Sequence, residues 1–554
     1  MLKKSIVLRG GFLMVVLILV GCTNTGKKLQ PAFESITADD LAKHIEILSS
    51  DEFMGRAPSS PGEEKTIHYL ENEFTKLGLK PGNGESYFQE VPLVKMTVDP
   101  SVEIKITGNN KTLKLKYGED FIGGTSRVVK SVSIRDSEIV FVGYGIVAPE
   151  YQWNDYAGLN VKGKTVLVLV NDPGFVTKDS TLFNGFAMTY YGRWTYKYEE
   201  AARQGAAGVI IVHETEPAGY PWEVVRNSWS GPQFYLETED GNMSDCEFRG
   251  WITLASAKKI FAMAGLEYEK QAEAASQRGF RASVLPLKAT VLVHNTVDFK
   301  KSNNVVAVWP GSERPDEYVI YNAHWDHFGV NSALPGDSIL NGALDNATGT
   351  SALIELAEAF TKLPEHPKRS VLFLAVTCEE QGLLGSGYYA THPIYPLNKT
   401  VAVINMDALN IFGRMKDITS IGYGNSELDD YVRIAAKKQN RYISPDPSPE
   451  KGSFFRSDHF PFAKVGLPAL YLSKGVDHVE KGREWTMEQS DKWLKENYHK
   501  PSDEYDPDVW DFTGMVDDVR LFFRVGYLLS MEDRFPNWRE GVLFKGKRDA
   551  MMGK

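Results

Sequence analysis

Apolar positions along this chain follow two alternating rhythms. NNVVAVWPG, EYVIYNAHWDH, SVLFLAVTCEE, TVAVINMDALN and LPALYLS are short runs rich in β-branched residues, and stretches such as GTSALIELAEAFTKL, with apolar positions three or four apart, separate them. The first kind reads as strand and the second as helix. Runs that are apolar nearly throughout belong to a sheet buried on both faces, so the pattern predicts an α/β fold with a mostly parallel sheet flanked by helices. Two helices precede it. ITADDLAKHIEILSS puts Leu41, Ile45 and Leu48 on one face with Thr37 as N-cap, and GEEKTIHYLENEFTKLGL repeats the spacing at Ile67, Leu70, Phe74 and Leu77 before Gly78 stops it.

Between residues 137 and 287 the rhythm changes. SEIVFVGYG, GKTVLVLVNDPG and GAAGVIIVHETEP are short strands bounded by Gly, Asp and Pro, and RWTYKYEEAARQGAAG has helical spacing. This predicts a smaller self-contained module inserted into a discontinuous larger domain at 36–136 and 288–540. KGKTVLVLV, a helix and then QGAAGVIIV resemble the protease-associated domain, a module inserted in several exported peptidases.

At 554 residues, with 42% hydrophobic and 24% charged residues, the chain is an ordinary globular protein of more than one domain. A formal charge of -10 with no long Lys/Arg run gives no grip on a phosphate backbone, so nucleic acid is excluded as a partner. The start, MLKKSIVLRGGFLMVVLILVGC, is basic, then apolar over a stretch too short to span a membrane comfortably. It resembles a bacterial lipoprotein signal. That resemblance implies a signal peptide at 1–21, a lipid on Cys22 and a tether at 22–35, in an exported protein anchored to the cell envelope. Thr23, in place of an aspartate, points to the outer membrane. Cys246 and Cys378 then remain, too few for a disulfide framework.

Ligands of open α/β sheets bind beyond the carboxyl ends of the strands. Here those ends carry His324, Asp326 and His327, then Glu379 and Glu380, then Asp407, and Asp345 stands just before a predicted helix. Carboxylates gathered so closely repel one another unless cations neutralise them. Imidazole and carboxylate without thiolate suit catalytic Zn²⁺, and the number of acids suits two ions better than one. In the doublet, one glutamate can bind metal while its neighbour faces water as general base. Taken singly, Asp345 reads equally well as a helix cap and Asp326 as a surface turn or as the orienter of His324.

These residues resemble the zinc-dependent aminopeptidase Y family, which includes bacterial leucyl aminopeptidases and glutamate carboxypeptidase II. His324-x-Asp326, the turn around Asp345, Glu379-Glu380, Asp407 and a late histidine match its pattern. The resemblance implies that His324 and Asp407 hold one zinc, that Glu380 and the late histidine hold the other, that Asp345 bridges them and that Glu379 is the general base. His459, His478 and His499 all qualify as the late histidine, and ENYHKPSDEYD favours His499. RSDHFPFAKVGLPAL resembles the preceding family segment, which implies that Ser457, Asp458 and His459 lie near the substrate without binding metal. The expected activity is removal of N-terminal residues from peptides. The rival expectations are a non-catalytic binding lipoprotein, a carboxypeptidase, or a glutaminyl cyclase on the same scaffold.

Overall fold

The computed structural model describes residues 28–554, which form two compact units. The expected signal peptide and Cys22 lie outside the described residues. Among the described residues, one unit comprises 28–91 together with Ser302–Asp446 and Ser457–Lys554; the other comprises Pro92–Lys301 and Pro447–Arg456.

The first unit is built on a mixed sheet whose centre is parallel. Strand Arg314–His324 lies between Arg369–Val376 and Thr400–Asn405, parallel to both, and Thr400–Asn405 pairs in parallel with Ala469–Ser473. Antiparallel neighbours flank this core, with residues 305–309 against Arg369–Val376 and Asp417–Ile421 against Ala469–Ser473. Every residue of Arg369–Val376 and Thr400–Asn405 is buried, which explains why these runs are largely apolar rather than alternating. One face is covered by helices Ala38–Leu48, Pro61–Lys76, Thr348–Thr361 and Phe512–Met531, and the other by Leu384–Thr391 and His459–Lys464. Thr37 caps the first helix as its sequence position predicts, its Oγ1 accepting from the Asp40 amide at 3.1 Å.

Three expected boundaries move. Residues 28–35, assigned to the tether, are helical, because Leu29 and Ala32 are buried in the core and Phe33 packs edge-on against Phe523. Helix Lys545–Met551 continues the unit past 540, with Arg548 buried and donating to the carbonyls of Leu397 and Thr400. The second unit reaches beyond 137–287 on both sides. Strands Glu103–Gly108 and Ser131–Phe141 pair antiparallel with residues of Ser283–Trp309, so chain on either side of the expected insertion completes its sheet. Parallel strands Thr165–Leu169, Gly208–His213 and Phe248–Thr253 form its centre around a core of its own.

The first unit also buries a carboxyl without a well-directed hydrogen bond. Glu355 on helix Thr348–Thr361 is 1% exposed, the Thr37 backbone gives it a weak contact, and the nearest cationic candidate is His44 Nε2 at 3.8 Å. His44 Nδ1 is engaged with the Tyr69 hydroxyl at 2.6 Å. Burial pushes the Glu355 carboxyl up to about 8, with Asp40 and Glu358 acting in the same direction, and burial lowers His44. A carboxyl raised in the folded state contributes stability below its unfolded pKa and loses it as pH rises through the folded value. Glu355→Gln is therefore expected to stabilise the metal-free protein increasingly between pH 5 and 8, the gain growing by up to about 1.4 kcal/mol for each pH step of one. Denaturant midpoints of both proteins across that range test this, and parallel pH profiles would refute it.

Candidate metal centre

Three strand ends and two loops of the first unit bring together His324, Asp326, His327, Asp345, Glu379, Glu380, Asp407 and His499. His324 ends the central strand, and its Nδ1 lies 3.2 Å from the Asp326 backbone carbonyl. Donating there leaves the Nε2 lone pair free. Nε2 faces Asp345 Oδ1 at 3.3 Å and Asp407 Oδ1 at 3.4 Å. Burial lowers the imidazole, but Glu379, Asp345 and Asp407 outweigh it and hold its pKa well above the ordinary value. The pocket thus favours positive charge at this point.

Asp345 links two halves of the site. Its Oδ2 is 3.3 Å from His499 Nε2, which is also 3.3 Å from Glu380 Oε2. Against the effect of burial, His324 and His499 hold Asp345 well below the usual carboxylate range. The loop carrying Asp345 is fastened by Asp503, whose carbonyl accepts from the Ala343 amide and whose carboxylate accepts from the Leu344 and Asp345 amides at 2.9 and 3.1 Å. His499 has a positive φ of 56° and stacks against Tyr498 at 3.6 Å. Of the other late histidines, His478 accepts at Nδ1 from the Glu480 and Lys481 amides, and His459 lies against the Tyr471 ring.

The glutamate doublet divides between these halves. Glu379 groups with His324 and Asp407, and Glu380 with His327 and Asp345, each trio offering ligand atoms within 4.8 Å of one another. His327 enters the site without having been assigned a role from sequence. Its Nδ1 is 2.6 Å from Glu380 Oε1, a hydrogen bond that leaves Oε2 turned to His499. Position alone signalled it, three residues beyond His324 at the same strand end. Asp326, expected to orient His324, accepts instead from the Glu379 amide at 3.1 Å, and its carboxylate stands 3.9 Å from His324 Nδ1. Burial raises Glu379 well above the ordinary carboxyl range, with His324 opposing and Glu380 reinforcing. Asp458 is raised to about 7 by burial and accepts from the Ser386 hydroxyl at 2.5 Å.

The donor set fits zinc. Two imidazole nitrogens and several carboxylate oxygens converge, and His499 Nε2 is buried without a well-directed hydrogen bond although two carboxylates lie 3.3 Å away. A lone pair held between two acids is the arrangement a cation completes.

A fully buried arginine ties the ligand loops together, and nothing in the sequence pattern marks it. Arg56 donates through Nε to the Trp325 carbonyl at 2.9 Å, through Nη1 to Leu48 and Asn341 at 2.6 Å each, and through Nη2 to Gly342 at 2.8 Å. Trp325 lies between His324 and Asp326, and Gly342 opens the turn leading to Asp345. Gly55 beside it has a φ of 65°, and a Cβ there would come within 2.4 Å of the Leu340 carbonyl, so only glycine lets this turn approach. Burial lowers the guanidinium to about 10, with Asp503 and Asp326 opposing.

Comparison with known proteins gives the same picture. Residues 304–523 match Peptidase family M28. The mouse protein named Aminopeptidase NAALADL1 is 34% identical over 122 residues, 21% of this chain and 15% of its own length. The Arabidopsis thaliana protein named Probable glutamate carboxypeptidase AMP1 is 25% identical over 458 residues, 74% of this chain and 58% of its own length. The chain thus spans well under two thirds of the length of these curated relatives. The solved aminopeptidase of Aneurinibacillus sp. strain AM-1 shares the fold, with a TM-score of 0.51 at 21% identity over 92% of this chain and 97% of that one.

Arg56→Lys keeps the charge but cannot serve four carbonyls set around a planar fork. It is expected to destabilise the metal-free protein by about 2–4 kcal/mol through unsatisfied buried carbonyls. Denaturant unfolding measures this, and a loss under about 0.5 kcal/mol, the size of an ordinary surface change, would show that the clamp is dispensable.

Proposed function

Because residues 304–523 match Peptidase family M28, we propose that this chain is an exported zinc aminopeptidase that removes N-terminal residues from peptides. The observation that carries the reading is the pair of half-sites sharing Asp345, with Glu379 beside them. His324, Asp407 and Asp345 would hold one zinc, and Glu380, His499 and Asp345 a second. When bound, the ions supply Lewis-acid polarisation of the scissile carbonyl and acidify water.

The chain's own residues divide the remaining work. Glu379 takes a proton from the attacking water and delivers it to the leaving amine, and its raised affinity for protons suits a base that must become an acid within one turnover. Asp326 fixes the Glu379 backbone, and His327 fixes Glu380. The charged neighbours of Glu379 are His324 and the acids Glu380, Asp458 and Asp407. Arg56, the buried cation beside the ligand loops, has its donors given to carbonyls. Glu380 and Asp407 are assigned to zinc, so Asp458 is the acid left to meet a free α-ammonium, and on that basis we read aminopeptidase over carboxypeptidase action. We read the second unit as the inserted protease-associated module and Cys22 as the lipid attachment point.

Glu379→Gln should lower kcat/KM on aminoacyl anilides about 10²–10⁴-fold, the usual contribution of a general base, while zinc content and melting temperature stay at wild-type values. N-acetylated anilides should not be cleaved by either protein. Cleavage of acetylated substrates, or release of C-terminal glutamate in preference to N-terminal residues, would overturn the aminopeptidase reading; absence of both zinc and turnover would point to a binding protein.

A further inference from the structure

Two of the strands that deliver metal-binding side chains carry an asparagine two residues earlier, in Asn322-x-His324 and Asn405-x-Asp407. Alternation along a strand puts the asparagine of each pair on the same side as the residue two further on. Asn322 and Asn405 are direct cross-strand partners, and they are 0% and 1% exposed, buried in strands that are otherwise largely apolar. Asn322 Nδ2 donates to Asn405 Oδ1 at 2.7 Å, Asn405 Nδ2 donates to Ser457 Oγ at 2.7 Å, and Ser457 Oγ donates to Asp407 Oδ2 at 2.6 Å.

Chemistry fixes the direction of this file. An ionised carboxylate only accepts, so the single hydroxyl proton of Ser457 goes to Asp407. Ser457 must then accept from Asn405, which turns the Asn405 amide nitrogen toward the serine and its oxygen toward Asn322, so Asn322 must donate. Asn322 Oδ1, at the far end, is buried without a partner, and reversing any of the three groups would set acceptor against acceptor or donor against donor within the file. The file ends on Oδ2 of Asp407 and leaves Oδ1 facing His324 Nε2.

We propose that Ser457 is a positioning residue for the metal centre, orienting Asp407 so that Oδ1 is presented beside His324, and that the asparagine pair holds Ser457 in its donating rotamer. The inference rests on the reading of His324 and Asp407 as ligands of one zinc. It makes the two half-sites different in construction. Asp503 fastens the shared Asp345; beyond it, the half with Glu380 and His499 is held by His327, whereas the half with His324 and Asp407 depends on a neutral hydroxyl and two amides.

The test is titration of metal-free wild type, Ser457→Ala, Ser457→Thr and Asn322→Ala with zinc against a chromophoric chelator, with the melting temperature of each metal-free protein measured alongside. Partners that orient a ligand are worth about 10–100-fold in metal affinity. Wild type should bind two ions; Ser457→Ala should bind one as tightly as wild type and the other at least tenfold more weakly. Ser457→Thr, which keeps the hydroxyl, should restore the weakened site, and Asn322→Ala, at the far end of the file, should weaken the same site by less. Two unchanged affinities in Ser457→Ala would overturn the positioning role while leaving the metal reading intact. Equal weakening of both sites with a fall in the metal-free melting temperature would also overturn it, assigning Ser457 to the fold instead. A wild-type protein that takes up no zinc would overturn the metal reading and this inference together.

Discussion

Mutual repulsion among buried carboxylates is the constraint around which the first unit is arranged. Asp345, Glu379, Glu380 and Asp407 meet at the end of a parallel sheet with Asp326 and Asp458 close by, and the ligand atoms within each trio lie within 4.8 Å of one another. Two like charges at that spacing cost roughly 3–4 kcal/mol even at an effective dielectric near 20. Such a group stays ionised only if positive charge sits among its members, and the imidazoles of His324 and His499 are drawn toward protonation for that reason. The same field would draw in metal ions and the ammonium of a peptide.

Around this ring, neighbouring residues fix where each acid points. Asp503 grips the amides of the Asp345 loop, His327 takes one oxygen of Glu380, the Asp326 carboxylate takes the Glu379 amide, and Ser457 takes one oxygen of Asp407. Arg56 joins two ligand loops through their carbonyls rather than through any carboxylate, so its charge remains available to the acids as a field while its hydrogen bonds are spent on backbone. Each of these contacts leaves one ligand-competent atom of the inner residue facing the centre. The division within the glutamate doublet follows from the same logic, since Glu380 is tied to His327 and Glu379 is placed by its backbone alone.

The curated relatives carry both aminopeptidase and glutamate carboxypeptidase names. What separates such activities is whether the substrate presents an ammonium or a carboxylate to the side chains beside the metals. In this chain Asp458 stands beside the residues read as metal ligands, and the donors of buried Arg56 go to backbone carbonyls.

Sequence alone determined the strands and most of the inner ring. Five apolar runs became sheet strands because burial on both faces demands continuous hydrophobicity, and His324, Glu379, Glu380 and Asp407 were legible because each breaks such a run at its carboxyl end, where the sheet presents residues to a ligand. Strands Asp417–Ile421 and Tyr442–Pro445 escaped notice, since TS and SP dilute the apolar signal in each. Composition left His459, His478 and His499 open, the resemblance of ENYHKPSDEYD favoured His499, and the tertiary structure sets its Nε2 between Asp345 and Glu380. Tertiary structure alone revealed Arg56, Asp503 and the two asparagines, whose roles rest on partners up to 286 residues away in the chain, and it gave His327, visible at its strand end, a partner in Glu380. It also set the limits of the second unit beyond the expected 137–287, because strand pairing joins segments by hydrogen bonds between backbones, and backbone hydrogen bonds leave little trace in side-chain pattern. Periodicity records what each residue is buried against on average, whereas a contact between two particular residues depends on where the whole chain has brought them.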